Sequence, residues 1–298
     1  MQDLSPESIT VDKIELGNIN EKNVTLDVLR LDKIHPVISG NKWFKLKYHL
    51  RYAKEEGKEH IVTFGGAYSN HIVATAAAGQ LFGYKTTGII RGLEQATRSH
   101  TLAEAARLGM KLCFISRSDY ASRNWPCELT GHRDVYLIHE GGFGECGLAG
   151  ASEILSFCHK EQYTHFACAI GSATTMAGLI RAALPRQTVL GVSVVKENGD
   201  IQRNLYALIG DSPASGFQII NDYHFGGYAK HSSELVNFMN DFYKSTLIPS
   251  DFVYTGKLFF GIVDMIARNC FPRYSNILII HSGGLQGNQS LPEGTLVF

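Results

Sequence analysis

The sequence predicts an α/β protein of mainly parallel sheets with flanking helices. Short β-branched runs alternate with longer helical patterns along most of the 298 residues, the order of linked βαβ units. The runs are largely apolar, as strands covered on both faces are. Several end in glycine-rich turns: FGGAYSNH after Phe64, HEGGFGECG after Ile138, AIGSATTMAG after Cys168 and HSGG after Ile280. Ligands of parallel sheets bind at the carboxyl ends of strands, so four such turns imply a cleft built from distant parts of the chain.

In chain order, strands are expected near Leu26–Leu31, Ile61–Phe64, Thr86–Ile90, Lys111–Ile115, Val135–His139, His165–Ile170, Thr188–Val194, Phe217–Ile220 and Ile277–Ile280. Their β-branched and aromatic content and flanking turn residues carry these assignments. Helices are expected near Lys42–Glu56, Asn70–Phe82, Ser99–Leu108, Ala151–His159, Thr175–Leu184, Ser232–Lys244 and Gly256–Arg268. Asn41 and Ser69 precede two of them as capping residues.

Composition narrows the function. A net charge of +0 argues against a nucleic-acid or anionic-membrane surface, because both need clustered cations. With 8 prolines a disordered linker is not expected. The start, MQDLSPESITVDKIEL, has acids and no apolar core, so it does not read as a signal peptide and a cytoplasmic location is expected. The best membrane-span candidate, Phe166–Leu184, is broken by Gly171, Ser172, Thr174, Thr175 and Arg181 and is rejected. The six cysteines, Cys113, Cys127, Cys146, Cys158, Cys168 and Cys270, lack CxxC spacing and read as reduced core residues. The 12 histidines show no metal-ligand spacing, so no metal is expected. GxGxxG and GxxxxGK[ST] are both absent, which removes the main support for dinucleotide and P-loop readings.

Four segments carry candidate chemistry. In SGNKWFKLKYHL, a turn places Lys42 at a helix start, where the positive end of the helix lowers an ammonium pKa. A lysine that forms a Schiff base needs that shift, since only the neutral amine attacks an aldehyde. Lys45 is three residues on, shares the face of Lys42 and suits a phosphate on the same ligand, whereas Lys47 points elsewhere. In FGGAYSNH, the amides of Ser69, Asn70 and His71 open a helix and suit a carboxylate, and the Asn70 side chain suits an aromatic oxygen. In AIGSATTMAG, Ser172, Ala173, Thr174 and Thr175 suit a phosphate cup. In VYTGK and HSGG, the Thr255 or Ser282 hydroxyl can meet a ring nitrogen, and Tyr254 can face a substrate. Each segment alone also has an ordinary reading as surface lysines, a capped helix, a tight turn or a packed tyrosine.

Taken together, in this order, the segments resemble the fold-type II pyridoxal-phosphate enzymes, whose fold is like that of the tryptophan synthase β-subunit. Within them the chain resembles the 1-aminocyclopropane-1-carboxylate deaminase and D-cysteine desulfhydrase family, from about Asp27 to Gly287. The resemblance implies pyridoxal 5′-phosphate as cofactor, with Lys42 as its Schiff-base lysine and Lys45 at its phosphate. It implies Ser69 and Asn70 at the substrate carboxylate and the pyridoxal hydroxyl, and Ser172 to Thr175 as the phosphate cup. It also implies Tyr254 at the reacting atoms, with Tyr228 of HFGGYAK as a second active-site tyrosine. Two domains are expected, a larger one from residues 1–44 and 146–298 and a smaller one from residues 45–145, with the cofactor between them. The usual assembly of the family is a homodimer.

Ring-opening deaminases of the family carry Glu where this chain has Thr255 and Leu where it has Ser282; desulfhydrase-like members carry hydroxyls at both. A carboxylate at the ring nitrogen would hold a proton there and strengthen the electron sink, while a hydroxyl leaves a weaker one. The weaker sink suffices when a good leaving group departs from Cβ. The expectation is therefore β-elimination from a small amino acid, giving aminoacrylate and then a 2-oxo acid and ammonia by a lyase or hydrolase type of deamination. Cyclopropane ring opening is the alternative. A nicotinamide oxidoreductase would need the glycine fingerprint that is missing, and a catalytically inactive binding protein would not need Lys42, Asn70 and Tyr254 together.

Overall fold

The computed structural model describes residues 4–15, 17, 21–130, 133–196, 199–211, 213 and 215–298. Its strands are β1 (Val11–Ile14), β2 (Thr25–Arg30), β3 (His60–Gly65), β4 (Lys85–Arg91), β5 (Lys111–Ile115), β6 (Val135–Ile138), β7 (His165–Ile170), β8 (Thr188–Ser193), β9 (Gly216–Ile220) and β10 (Asn276–His281). Its helices are α1 (Asn41–Glu55), α2 (Asn70–Phe82), α3 (His100–Arg107), α4 (Arg117–Ala121), α5 (Cys127–Thr130), α6 (Glu145–Ser152), α7 (Thr174–Ala182), α8 (Asp200–Ile209), α9 (Ser233–Thr246) and α10 (Thr255–Ala267). One sheet has the order β1-β2-β10-β7-β8-β9 and the other β5-β4-β3-β6. Every pairing is parallel except that of β1 with β2. The fold is therefore α/β with mainly parallel sheets, as expected.

Strand alternation builds the larger core. Phe166, Cys168 and Ile170 of β7 face one side of the six-stranded sheet, with Leu278 and Ile280 of β10, and pack against α6 and α7. Ala167 and Ala169 face the other side with Ile277 and Ile279, under Leu258, Phe259 and Ile262 of α10. The four-stranded sheet has its own core, in which Ile61, Ile90 and Ile138 meet the alanine-rich α2. α1 is shared between the two: Phe44 belongs to the core of the larger sheet, Leu46 and Leu50 to that of the smaller. The helix that begins with the lysine segment thus lies between the two sheets.

The structure corrects several expectations. The helix expected at Ala151–His159 lies earlier, at α6, and Glu153–Phe157 is a 3-10 turn. Its glycines read as loop in the sequence, but they let α6 approach α1: a Cβ on Gly150 would overlap the carbonyl of Phe44. β1, α4, α5 and α8 were not anticipated. Phe166–Leu184 is β7 followed by α7, and no helix among the described residues is long and apolar enough to cross a membrane. The five described cysteines are free thiols, but only Cys168 is buried; Cys270 is exposed at the end of α10, so it is not a core residue.

Candidate active site

The turn Ser39–Gly40–Asn41 enters α1 against the turn after β10, with the Asn41 amide donating to the Ser282 carbonyl at 3.3 Å. This contact joins the start of α1 to the carboxyl edge of the larger sheet. Lys42 Nζ donates to Asn41 Oδ1 at 2.7 Å, and Asn41 Nδ2 donates to Thr175 Oγ1 at 2.7 Å. Burial pushes the Lys42 ammonium down to about 8, and the nearby Asp251 carboxylate partly opposes this. The leading cause is desolvation, not the helix terminus expected from the sequence.

Lys45 is 4% exposed. Its Nζ donates to Ser172 Oγ at 3.2 Å. Its pKa lies well below the ordinary lysine range, first through burial and then through the charge of Lys42. No carboxylate pairs with it among the described residues. Lys47 turns the other way and pairs with Glu153.

Lys45 faces the loop from β7 into α7. There Ala173 caps the helix with a left-handed φ of +64°. Thr174 and Thr175 are buried, and the Ser172 and Thr174 hydroxyls are 3.2 Å apart. A left-handed residue at a helix start turns successive amides toward one point, an arrangement that holds anions. The Lys45 ammonium, the hydroxyls of Ser172, Thr174 and Thr175 and the N-terminus of α7, with no carboxylate pairing Lys45 among the described residues, form a donor set that fits a phosphate dianion. Burying an unpaired ammonium is costly, and an anion from outside the chain would supply the missing charge.

The smaller sheet contributes the loop from β3 into α2. Ser69 caps α2, its Oγ accepting from the Ile72 amide at 3.4 Å. The Ser69 amide donates to the Gly66 carbonyl at 3.1 Å, so of the three amides proposed for an anion only those of Asn70 and His71 remain. Asn70 is buried, and its Oδ1 accepts from Gln286 Nε2 at 2.9 Å. That bond orients the Asn70 amide nitrogen as the free donor. His71 Nε2 lies 2.8 Å from Thr63 Oγ1, and its Nδ1 is a buried atom with no partner among the described residues.

The start of α10 is organised by Asp251, a fully buried residue that the motif reading passed over. Its carboxylate accepts from the amides of Val253 at 3.0 Å and of Tyr254 and Thr255 at 2.9 Å. The Thr255 hydroxyl donates to the same carboxylate at 2.7 Å and accepts from the Asp251 amide at 2.7 Å. Burial raises the Asp251 pKa, while these donors oppose the rise. The single hydroxyl proton of Thr255 is thus engaged, which departs from the expectation that it is free for a ring nitrogen. Ser282 is also buried, and no side-chain partner of its hydroxyl is found among the described residues.

Tyr254 stands over the end of β7, where a Cβ on Gly171 would come within 3.2 Å of its ring. Tyr228 meets Tyr254 edge to face, with ring centroids 6.0 Å apart. Burial and the neighbouring Tyr228 keep the Tyr254 phenol protonated well above the usual tyrosine range. The structure therefore gathers Lys42, Lys45, Ser172, Thr174, Thr175 and Ser282 around the start of α1. Tyr254 and Tyr228 pair beside the same strand ends, and Ser69 and Asn70 sit on the facing loop. Asn41, Asp251, Lys257 and Gln286 were missed. Asp251 had one legible signal, a carboxylate a few residues before a helix start.

The family profile described as "Pyridoxal-phosphate dependent enzyme" matches residues 14–283. A protein of Thermotoga maritima named "Putative 1-aminocyclopropane-1-carboxylate deaminase" is 30% identical over 295 residues, covering 91% of this chain and 93% of its own. The solved structure of an "ACC deaminase homologue" superposes with a TM-score of 0.77 at 24% identity, covering 96% of this chain and 92% of that one. An O-acetylserine-dependent cystathionine beta-synthase from Helicobacter pylori superposes at 0.69 and 17% identity, with 95% of each chain covered. With its α/β fold, its donor set for a phosphate and this match over nearly its whole length, the chain belongs to the fold-type II pyridoxal-phosphate-dependent enzyme family.

Proposed function

We propose that the protein is a lyase that deaminates a small amino acid by β-elimination, giving a 2-oxo acid and ammonia, as D-cysteine desulfhydrases do. The observation that carries the reading is the buried Lys45, which faces the Ser172 and Thr174 hydroxyls with no carboxylate pairing it among the described residues, beside the half-buried Lys42 on the same helix face. Lys45, Ser172, Ala173, Thr174 and Thr175 would hold the cofactor phosphate. Lys42 would anchor its aldehyde carbon, Asn70 its phenolic oxygen and Ser282 its ring nitrogen. When bound, pyridoxal phosphate supplies an electron sink for charge developing at Cα.

The remaining chemistry belongs to the chain. Ser69 and the first amides of α2 bind the substrate carboxylate. The Lys42 amine, with its pKa near 8, takes the proton from Cα. Tyr254 stays protonated and hands its hydroxyl proton toward the departing β-substituent, with Tyr228 as its neighbour. Water enters only after the enamine leaves, so lyase describes the step and hydrolase does not. The working form would be a cytoplasmic homodimer with the cofactor between a larger domain of residues 1–44 and 146–298 and a smaller one of residues 45–145.

A second reading, opening of the cyclopropane ring, is favoured by the name of the Thermotoga maritima relative and by Asp251. That buried carboxylate adjoins Thr255, the position where ring-opening enzymes carry Glu. The test compares kcat/KM for D-cysteine or β-chloroalanine with that for 1-aminocyclopropane-1-carboxylate. Faster elimination is expected. Efficient ring opening with no elimination would replace the first reading with the second.

A further inference from the structure

Lys257, in the segment YTGK, is a lysine with 0% exposure. Among the described residues no carboxylate pairs with its ammonium directly, though the charge of Asp251 acts on it. It is held by backbone oxygens, donating to His224 O at 2.9 Å and Gly227 O at 2.8 Å, with a longer approach to Val194 O at 3.5 Å. The two close carbonyls bracket a turn of unusual conformation. Phe225, Gly226, Gly227 and Ala229 have φ of +51°, +92°, +120° and +54°. Four left-handed residues among five are costly, and two of them are not glycine. The conformation swings the 224 and 227 carbonyls inward to the Lys257 ammonium, and it delivers Tyr228 against Tyr254.

A methionine or leucine at position 257 would fill the interior without desolvating a charge. Tyr228 is 43% exposed, and its described contacts are all with Tyr254, an edge-to-face ring contact and a hydrogen bond between the phenols, so the backbone turn that carries it sets where that contact is made. We infer that Lys257 is the positioning residue for Tyr228, its ammonium clamping the 224–227 turn from beneath so that the phenol is held beside Tyr254. The inference rests on the reading that Tyr228 faces the reacting atoms. The Lys257 ammonium is spent on the carbonyls of the turn, so it acts on the reaction through the tyrosine that the turn carries.

The experiment uses the holoenzyme in four forms: wild type, Lys257→Met, Tyr228→Phe and the double variant, with Lys257→Arg as the conservative replacement. Amide hydrogen exchange over residues 225–230 reads the turn directly. Lys257→Met should accelerate that exchange by at least about tenfold while the sheet amides keep their protection. It should lower kcat about as much as Tyr228→Phe, roughly 10–100-fold. The double variant should be no worse than either single, and Lys257→Arg should recover part of both readouts. Should Lys257→Met fail to fold, Lys257→Ala supplemented with ethylammonium takes its place, and ammonium-dependent protection of the turn supports the clamp. Unchanged exchange of the turn, or single-variant losses that multiply in the double, would overturn the inference. Wild-type kcat in Tyr228→Phe would instead overturn the role of the tyrosine, leaving the clamp to be decided by exchange alone.

Discussion

The start of α1 with the β7–α7 loop and the start of α10 are both buried, polar helix termini, and they differ in how their polar groups are satisfied. At α1 and α7, the Lys45 ammonium meets one hydroxyl and no carboxylate among the described residues, and α7 opens at the left-handed Ala173 with no side-chain cap. At α10, one carboxylate accepts from three amides and a hydroxyl, and one ammonium is held between carbonyls. The first terminus needs a ligand to balance its charge, while the second is balanced by the chain itself. Buried polarity therefore marks the cofactor side where it is incomplete, and the supporting side where it is closed.

The largest expected effect lies at the incomplete terminus. Lys42→Ala should lose the visible absorption of the holoenzyme and at least about three orders of magnitude of kcat/KM. Borohydride reduction and peptide mapping of the wild type should place the cofactor on Lys42, and a label on Lys45 or Lys47 would reverse the roles. Lys45→Ala should weaken cofactor affinity by about 1.5–3 kcal/mol, a charged contact's worth. Saturating pyridoxal phosphate should restore most turnover, and failure to do so would remove Lys45 from the phosphate.

The closed terminus should respond in stability. In Asp251→Asn an amide nitrogen faces donors that now meet a carboxylate oxygen, so the variant should lose about 1–3 kcal/mol, read as a fall in Tm. It should also lower the Lys42 midpoint, because the carboxylate now raises it. A variant as stable as the wild type would mean that the terminus is not self-balanced. The mildest effect is on pH. Lys42 is neutral above about 8, and only the neutral amine attacks an aldehyde. Capture of pyridoxal phosphate by apo protein should therefore speed up as pH rises toward 8 and level off beyond it. A rate still climbing steeply toward pH 10 would place Lys42 in solvent.

Much of the incomplete terminus was legible in the sequence because glycines, hydroxyls and lysines at a strand-to-helix junction announce themselves. Lys42, Lys45 and the Ser172–Thr175 run needed no knowledge of tertiary contacts. The closed terminus was harder to read. Nothing local reveals that the Thr255 hydroxyl is taken by Asp251, or that Gln286, over 200 positions away, orients Asn70. Such pairings arise only when distant turns meet. The shift in α6 has a different cause: glycines that signal loops also permit tight helix packing, and composition alone does not separate the two.

The register of the larger sheet has a consequence for how the molecule is made. Thr25 of β2 pairs with Asn276 of β10, 251 positions later. β2 cannot take its place beside β10 until that last strand of the sheet has left the ribosome, roughly 10–50 s after β2 itself at ordinary translation speeds. The smaller sheet, whose strands all lie between His60 and Ile138, can close long before. During that interval β2 waits with one edge paired to the short β1 and the edge meant for β10 open, and it is then that the growing chain is most open to chaperones and to pairing with the wrong neighbour.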